Sequence, residues 1–251
     1  MTEVPSFPEL LSLIDDRSAA LREALAVAPD LAARVPGCPE WTMRDLVEHI
    51  GHVQCFWAAV VQAGGGDGPP PRETIGFTQP GDDLGGWFEA QTRLLLAALG
   101  QVGPDRPSWT WWATSDAPQT TGAVARHQVE EAAVHAYDAQ ETIGKPEPIP
   151  ASVAVDGVAE FLQVTFGVAG DWPHRPARIV FSAVEGPSWV LDVTPDGARL
   201  DPAAGGEPVA TVHGSASDIL LALFGRIPLD HLRIDGDPTV VTQLKSWADT
   251  D

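Results

Sequence analysis

Cysteine and basic side chains are both scarce in this sequence of 251 residues. Its two cysteines, Cys38 and Cys55, cannot build a disulfide framework, and we expect structural roles for them, with metal binding or nucleophilic chemistry as the alternative. Only 15 Lys and Arg stand against 35 Asp and Glu, so the formal net charge is −20. Because a surface of this sign repels phosphate backbones and anionic lipids, we expect neither a nucleic-acid nor a membrane partner.

Long apolar runs are missing as well. No stretch approaches the roughly 20 residues that span a bilayer, and residues 1–5 show neither the basic nor the apolar region of a secretory signal. We therefore expect a cytoplasmic protein. The composition is 44% hydrophobic and 20% charged, which is enough to bury a sizeable core in one large domain or two small ones.

Apolar residues recur every three to four positions through much of the first 145 residues, which predicts a four-helix bundle. Thr42 and Asp45 have the spacing of a capping box, so the second helix is expected to begin at residues 41–42. A run of glycine and proline at 64–71 ends that helix. The other helices are expected within 7–31, at about 82–99 and at about 121–143.

Pro146, Pro148 and Pro150 mark a change of structure, because alternating prolines disfavour a helix and suit an extended connector. We expect an α+β fold with domains at 1–145 and 151–251. In the second domain, an antiparallel sheet with helices packed on one face is predicted. Its strands are expected at 177–184, 188–194, 209–213 and 232–234, and its helices at about 152–166, at 218–224 behind Ser215 or Ser217, and from Asp237-Pro238 onward.

A divalent-metal site is the main chemical prediction. Glu131 and His135 are four residues apart, so a helix places both side chains on one face, one turn apart. A second amphipathic helix carries His49 and His52, and either can face the bundle interior. One of these imidazoles would complete a set of three protein ligands that leaves a further position open, which is the arrangement of a catalytic metal.

Other side chains near this stripe of the fourth helix are candidates for the surrounding pocket. His127 lies one turn before Glu131 and is a candidate fourth ligand or outer neighbour of the metal. Asp138 follows His135 by nearly one turn and is expected to accept its second ring proton. Three tryptophans that precede the helix are expected either to wall the pocket or to pack in the bundle: Trp109, Trp111 and Trp112.

Three segments, in order along nearly the whole chain, resemble the mycothiol-dependent maleylpyruvate isomerase family of the DinB-like superfamily. The first is the run from Cys38 to His49, and the second is the run from Arg126 to Asp138. The third comprises residues 214–226 and then 234–238. By these ordered motifs, the chain is identified as a member of that family.

The resemblance implies a metal, most commonly zinc, held by His49, Glu131 and His135, with His49 rather than His52 at the ligand position of the first motif. It also implies mycothiol as the thiol cosubstrate, and so an actinobacterial protein. Arg226 is the corresponding candidate for a catalytic or anion-holding arginine in the C-terminal domain. Its alternative role is to cap the preceding helix.

The chain departs from the family pattern at two positions. Glu130 stands where relatives often have a histidine before the ligand glutamate, and His127 replaces a residue that is commonly basic or polar. Both changes touch the flank of the pocket and not the ligands, so we expect metal binding to be retained while the substrate stays open. A substrate carboxylate would need a cation such as Arg126 or Arg226 against the negative field of the protein.

The expected mechanism follows from the chemistry of a thiol at a divalent cation, which deprotonates it. The thiolate then attacks an electrophilic carbon of a small substrate. Addition to a conjugated cis double bond followed by release of the thiol gives an isomerase, whereas a thiol that stays attached gives an S-transferase. The alternatives are a hydrolase, with Glu130 or Asp138 as the base, and a non-catalytic ligand-binding protein. A monomer or a homodimer is expected.

Overall fold

The computed structural model describes residues 4–200 and 205–247. By their contacts, the described residues form two units. The helical unit comprises 5–111 and 118–149, and the C-terminal unit comprises Val4, 112–117 and the residues from 150 onward. The short segment 112–117 thus groups with the C-terminal unit, although it precedes the last helix of the helical unit. The domain limits expected from the sequence, 1–145 and 151–251, stay a prediction.

The expected four-helix bundle is confirmed, and each helix begins at a polar residue in the N-cap position. In the second helix, the Thr42 hydroxyl accepts a hydrogen bond from the Asp45 backbone N–H at 3.2 Å, and the Asp45 carboxylate accepts from the Thr42 N–H at 2.8 Å. Ser6, Asp83 and Thr120 occupy the same position in the others. The helices are α1 Phe7–Ala26, α2 Met43–Ala63, α3 Leu84–Val102 and α4 Thr121–Thr142.

A two-stranded hairpin, which was not predicted from the sequence, connects α1 to α2. Its strands are β1 Arg34–Val35 and β2 Cys38–Thr42. Strands this short show no clear period of two, and β2 contains a proline, which argued against a strand. The hairpin brings Trp41 directly in front of the first turn of α2.

The core of the bundle encloses α4 on nearly all sides. Its alanines allow the neighbouring helices to approach closely, and the following are buried: Ala132, Ala133, Ala136 and Ala139. Polar side chains of the same helix are enclosed with them: His127, Gln128, Glu130, His135 and Asp138. Because burial removes these groups from water, their partners within the protein decide whether the helix is stable there.

The C-terminal unit contains a mixed five-stranded sheet: β3 Ala177–Ala183, β4 Ser188–Thr194, β5 Gly197–Leu200, β6 Ala210–Gly214 and β7 Arg233–Gly236. The strand order is β5-β4-β3-β6-β7. The antiparallel sheet expected from the sequence is correct for three strand pairs and wrong for β3 with β6, which is parallel. Strands β4 and β5 separate that pair along the chain, and local patterns carry no information about such pairing.

Within the described residues, the C-terminal unit has three α-helices: α5 Ala151–Val164, α6 Ala216–Leu223 and α7 Pro238–Trp247. Of the two candidate caps of α6, Ser215 is the one used, because its hydroxyl accepts from the Asp218 backbone N–H at 3.0 Å. Phe181 and Val212 on the sheet share one apolar cavity with side chains of α6 and α7. The prediction of helices packed on one face of the sheet is therefore confirmed for these two helices.

One segment, Ala151–Val168, is long and apolar enough to cross a bilayer by length and composition alone, which corrects the expectation that no such run exists. More than half of it, 56%, is buried inside the protein. It also contains two acidic residues that are buried, Asp156 and Glu160, which are 9% and 2% exposed. These features are those of a core helix.

Removing the cap of α2 tests how the helix is held. Thr42→Ala deletes the hydroxyl that accepts from Asp45, and we expect the free energy of unfolding to fall by about 1 kcal/mol. Thr42→Ser keeps a hydroxyl and should stay within about 0.5 kcal/mol of the original protein. Urea unfolding followed by circular dichroism measures both, and equal stability of all three proteins would contradict a stabilising cap.

Candidate metal centre

Glu131 and His135 lie together on one face of α4. Nε2 of His135 is 3.5 Å from Oε2 of Glu131, as expected for residues one turn apart. His135 is 7% exposed, and the side chain of Glu131 is 24% exposed. The pair is therefore largely enclosed and is open to solvent at the carboxylate.

His49 reaches the same place from α2. Its ring centroid lies 5.2 Å from that of His135, with the ring planes at 76°. One possible ligand atom from each of His49, Glu131 and His135 lies within 4.8 Å of the other two. The three side chains proposed as ligands from the sequence are thus neighbours in the folded protein, while metal binding itself stays a prediction.

Asp138 fixes the orientation of the His135 ring. Its Oδ2 lies 2.9 Å from Nδ1 of His135, and its side chain is fully buried. Because an ionised carboxylate only accepts, Nδ1 carries the proton, and in the neutral ring Nε2 is the basic nitrogen that faces Glu131. Metal-binding histidines usually have this type of outer hydrogen bond.

Trp41 also belongs to the centre, although the sequence alone did not predict a role for it. Its ring centroid is 4.5 Å from that of His49 and 6.1 Å from that of His135, with ring planes tilted by 42° and 35°. The indole therefore packs against both imidazoles. The one sequence feature that could have indicated this role is the position of Trp41 in the first motif, one residue before the N-cap Thr42.

The ionisation of the pair follows from its contacts. Burial raises the pKa of the Glu131 carboxyl, but the hydrogen bond to His135 and the positive charges of His135, His127 and His49 outweigh it and lower the pKa to about 2. Burial likewise lowers the pKa of His135, but hydrogen bonds to Asp138 and Glu131 and their negative charges raise it to about 9. Without a metal, the pair is therefore an ion pair at neutral pH.

His52 makes contacts elsewhere, although it lies on the same helix as His49. Its Nε2 is 3.1 Å from the backbone carbonyl of Thr78. Its ring meets those of Phe77 and Trp87 edge to face, at centroid distances of 5.5 and 5.2 Å. These contacts join α2 to the segment before α3 and to the first turn of α3, and they make His52 a matched control for His49.

Neither Cys38 nor Cys55 forms a disulfide. The Cys38 sulfur lies 4.0 Å from Oδ2 of Asp138, so this residue borders the centre through Asp138. Cys55 is buried in α2, where its thiol is 3.7 Å from the Ile75 carbonyl, and burial raises the pKa of the thiol. The contacts of Cys55 agree with the structural role expected for it.

His127 flanks the centre on the next turn of α4. Its Nε2 is 3.7 Å from Oε1 of Glu131, and its Nδ1 is 3.8 Å from Oε2 of Glu130. Its ring lies edge to face with those of Trp57 and Trp111, at centroid distances of 6.0 and 5.7 Å. His127 and Glu130, the two positions that depart from the family pattern, therefore contact each other, and His127 also contacts Glu131.

The remaining candidates occupy different surroundings. Arg126 is partly buried on α4, and Trp112 is fully buried and groups with the C-terminal unit. Arg226 follows α6, where its guanidinium donates to the Phe224 carbonyl at 2.9 Å. That contact fits the alternative role of Arg226 at the helix end, and its catalytic role stays a prediction.

The donor set fits a divalent transition metal. Two imidazoles and one carboxylate are ligands that zinc and similar ions accept, and three protein ligands leave room for a further one. Asp138 supplies the outer hydrogen bond, and Glu131 supplies a negative charge in an enclosed place. The chemistry of these side chains therefore matches a catalytic rather than a closed structural site.

Two family models match the chain. The model described as the mycothiol maleylpyruvate isomerase N-terminal domain covers residues 11–140, and the corresponding C-terminal model, abbreviated MDMPI, covers residues 152–243. None of the curated proteins compared with the chain is significantly similar to it.

Two crystal structures share the fold. One is of a mycothiol-dependent maleylpyruvate isomerase, with 17% sequence identity and a TM-score of 0.54. The other is of a mutant of that enzyme with a histidine replaced by alanine, also 17% identical, with a TM-score of 0.56. Each comparison covers 86% of this chain and 88% of the other.

The raised pKa of His135 predicts a pH dependence of stability for the metal-free protein. With a pKa of about 9 when folded and an ordinary value of 6.5, protonated His135 stabilises the fold fully below pH 6.5, and this contribution is lost as the pH rises through 9. The lowered pKa of Glu131 preserves its contribution above pH 4.5 and removes it only as the pH falls toward 2.

We therefore expect the metal-free protein, prepared with a chelator, to unfold at less urea near pH 9 than near pH 6.5. His135→Gln should lose most of this difference, and His52→Gln should keep it. Urea midpoints at the two pH values measure the effect. A difference in midpoint that is the same in His135→Gln as in the original protein would contradict the assignment of the titration to His135.

Proposed function

Because the chain belongs to the mycothiol maleylpyruvate isomerase family, we propose that it is an enzyme that delivers mycothiol to a small electrophile at a divalent-metal centre. The reaction is a cis–trans isomerisation or an S-transfer. The observation that carries the proposal is the convergence of His49, Glu131 and His135 from two helices. Zinc is the proposed ion, because imidazole and carboxylate ligands with an open position suit it.

His49, Glu131 and His135 would hold the metal, whose contribution when bound is to deprotonate a coordinated thiol. The protein side chains orient and enclose this chemistry. Asp138 holds the His135 ring by its Nδ1–H, so that Nε2 stays directed at the centre. Trp41 covers both imidazoles and restricts water on that side of the centre.

The proposed reaction begins with attack of the thiolate on an electrophilic carbon. In the isomerase form, the sulfur adds to a conjugated cis double bond, the resulting single bond rotates, and expulsion of the thiolate restores the double bond in the trans form. In the transferase form, the thiolate displaces a leaving group or opens a ring of the substrate, and the new carbon–sulfur bond remains. Either Arg126 or Arg226 is the proposed partner for an anionic substrate group, since the net charge of −20 disfavours anions elsewhere.

The location and the cosubstrate are linked in this proposal. A thiol cosubstrate needs a reducing compartment, and neither Cys38 nor Cys55 forms a disulfide. We therefore propose a cytoplasmic protein from an actinobacterium, acting as a monomer or a homodimer without nucleic acid or membrane.

Titration of mycothiol into the cobalt-substituted protein tests the proposal. We expect a saturable thiolate-to-cobalt charge-transfer band in the near ultraviolet. His49→Ala should abolish the band because it removes a ligand, whereas His52→Ala, whose contacts are with Thr78, Phe77 and Trp87, should retain it.

The other outcomes separate the alternatives. Cobalt binding without a band on addition of mycothiol would favour the hydrolase over the thiol-dependent enzyme. A protein that binds no cobalt would contradict the metal centre and leave a ligand-binding protein. A band of full intensity in His49→Ala would overturn the assignment of that ligand.

A further inference from the structure

The side chain of Gln128 is unusual among the enclosed polar groups of α4. It is 1% exposed, and neither its Nε2 nor its Oε1 has a hydrogen-bond partner within residues 4–200 and 205–247. A buried amide with both ends unpaired is strongly unfavourable, because it loses its bonds to water and gains nothing in return. Such a group in a native protein calls for a specific explanation, often a bound molecule.

The bundle does satisfy a buried amide where the amide is part of the core. Gln54 of α2 is fully buried, its Nε2 donates to the Ser18 hydroxyl at 3.0 Å, and its Oε1 accepts from the Thr92 hydroxyl at 2.8 Å. Gln54 therefore ties three helices together. The contrast shows that Gln128 lacks what this fold supplies to a structural glutamine.

The place of Gln128 on α4 connects it to the metal centre. It precedes Glu131 by three residues and His135 by seven, so helical geometry sets the three side chains on one stripe. Along the helix axis it is about 4.5 Å from Glu131 and about 10.5 Å from His135. These separations match the reach of a small molecule whose sulfur lies at the centre.

The same turn of α4 also contacts a cluster of aromatic side chains. On the same turn of the helix, the His127 ring lies against Trp57 and Trp111, and Trp57 is stacked with Trp109 at 6.2 Å. A ligand that extends from the centre along the stripe of Glu131 and Gln128 would reach the Gln128 amide. That amide is uncharged and both donates and accepts, which suits a neutral amide or hydroxyl group.

We propose, on the premise of the function proposed above, that Gln128 binds an amide or hydroxyl group of the thiol cosubstrate. Gln128 is then a specificity-determining residue. It distinguishes a thiol that carries polar groups from a simple alkyl thiol, because only the former satisfies the buried amide. The unpaired amide of Gln128 destabilises the ligand-free protein, and hydrogen bonds to the cosubstrate offset this cost on binding.

The test compares two glutamine-to-methionine substitutions, which keep the length of the side chain and remove the amide. Gln128→Met should weaken the binding of mycothiol to the cobalt-loaded protein about tenfold, as expected for the loss of one or two hydrogen bonds. It should leave the binding of 1-propanethiol unchanged, since that thiol has nothing for the amide to bind. Its thermal midpoint should be equal to or higher than that of the original protein.

Gln54→Met is the matched control. It removes an amide that is fully paired and leaves the Ser18 hydroxyl without its donor, so its thermal midpoint should fall. Its affinity for mycothiol should be unchanged while it remains folded. Cobalt absorption titrations and thermal unfolding measure all three proteins.

Three results would overturn the inference. Unchanged mycothiol affinity in Gln128→Met, particularly with a lowered thermal midpoint, would assign the amide to the protein interior and an enclosed water. Equal weakening of mycothiol and 1-propanethiol would show a distorted metal centre. Absence of mycothiol binding in the original protein would contradict the proposed function as well, which separates that failure from the other two.

Discussion

The enclosure of charged side chains within an alanine-rich helix is the constraint on which the rest of this structure depends. Glu131, His135 and Asp138 lie on α4 where water is largely excluded, so each must be paired within the protein or by a ligand. Removing one member of such a group leaves a buried charge alone, at a cost of about 3–5 kcal/mol. The chain of contacts from Asp138 through His135 to Glu131 meets this requirement and also orients the ring nitrogens.

The position of α2 decides which of its two histidines reaches the centre. The β1–β2 hairpin and the Thr42 cap fix where α2 begins, and this sets which of its residues point at α4. His49 then meets His135, while His52, less than one turn later, meets Thr78, Phe77 and Trp87. Trp41, held at the end of the hairpin, packs against the two imidazoles.

The four helices were predictable because capping residues and a period of 3.6 are local signals. The β1–β2 hairpin and β5 were not, because two to five residues carry too little pattern, and the parallel pairing of β3 with β6 depends on distant segments. Spacing predicted that Glu131 and His135 would be adjacent but left His49 and His52 open. The spacing of residues along the sequence predicts neither the packing of Trp41 against the site nor the unpaired amide of Gln128. Both depend on how separate helices and the hairpin pack.

The central claim is that three protein ligands hold a divalent ion to which a thiol adds. X-ray absorption at the zinc edge of the zinc-loaded protein tests it most directly. We predict scattering from two imidazoles and light oxygen neighbours, and the appearance of one sulfur neighbour at about 2.3 Å when mycothiol is added. A spectrum that mycothiol leaves unchanged, or one without imidazole scattering, would contradict the account.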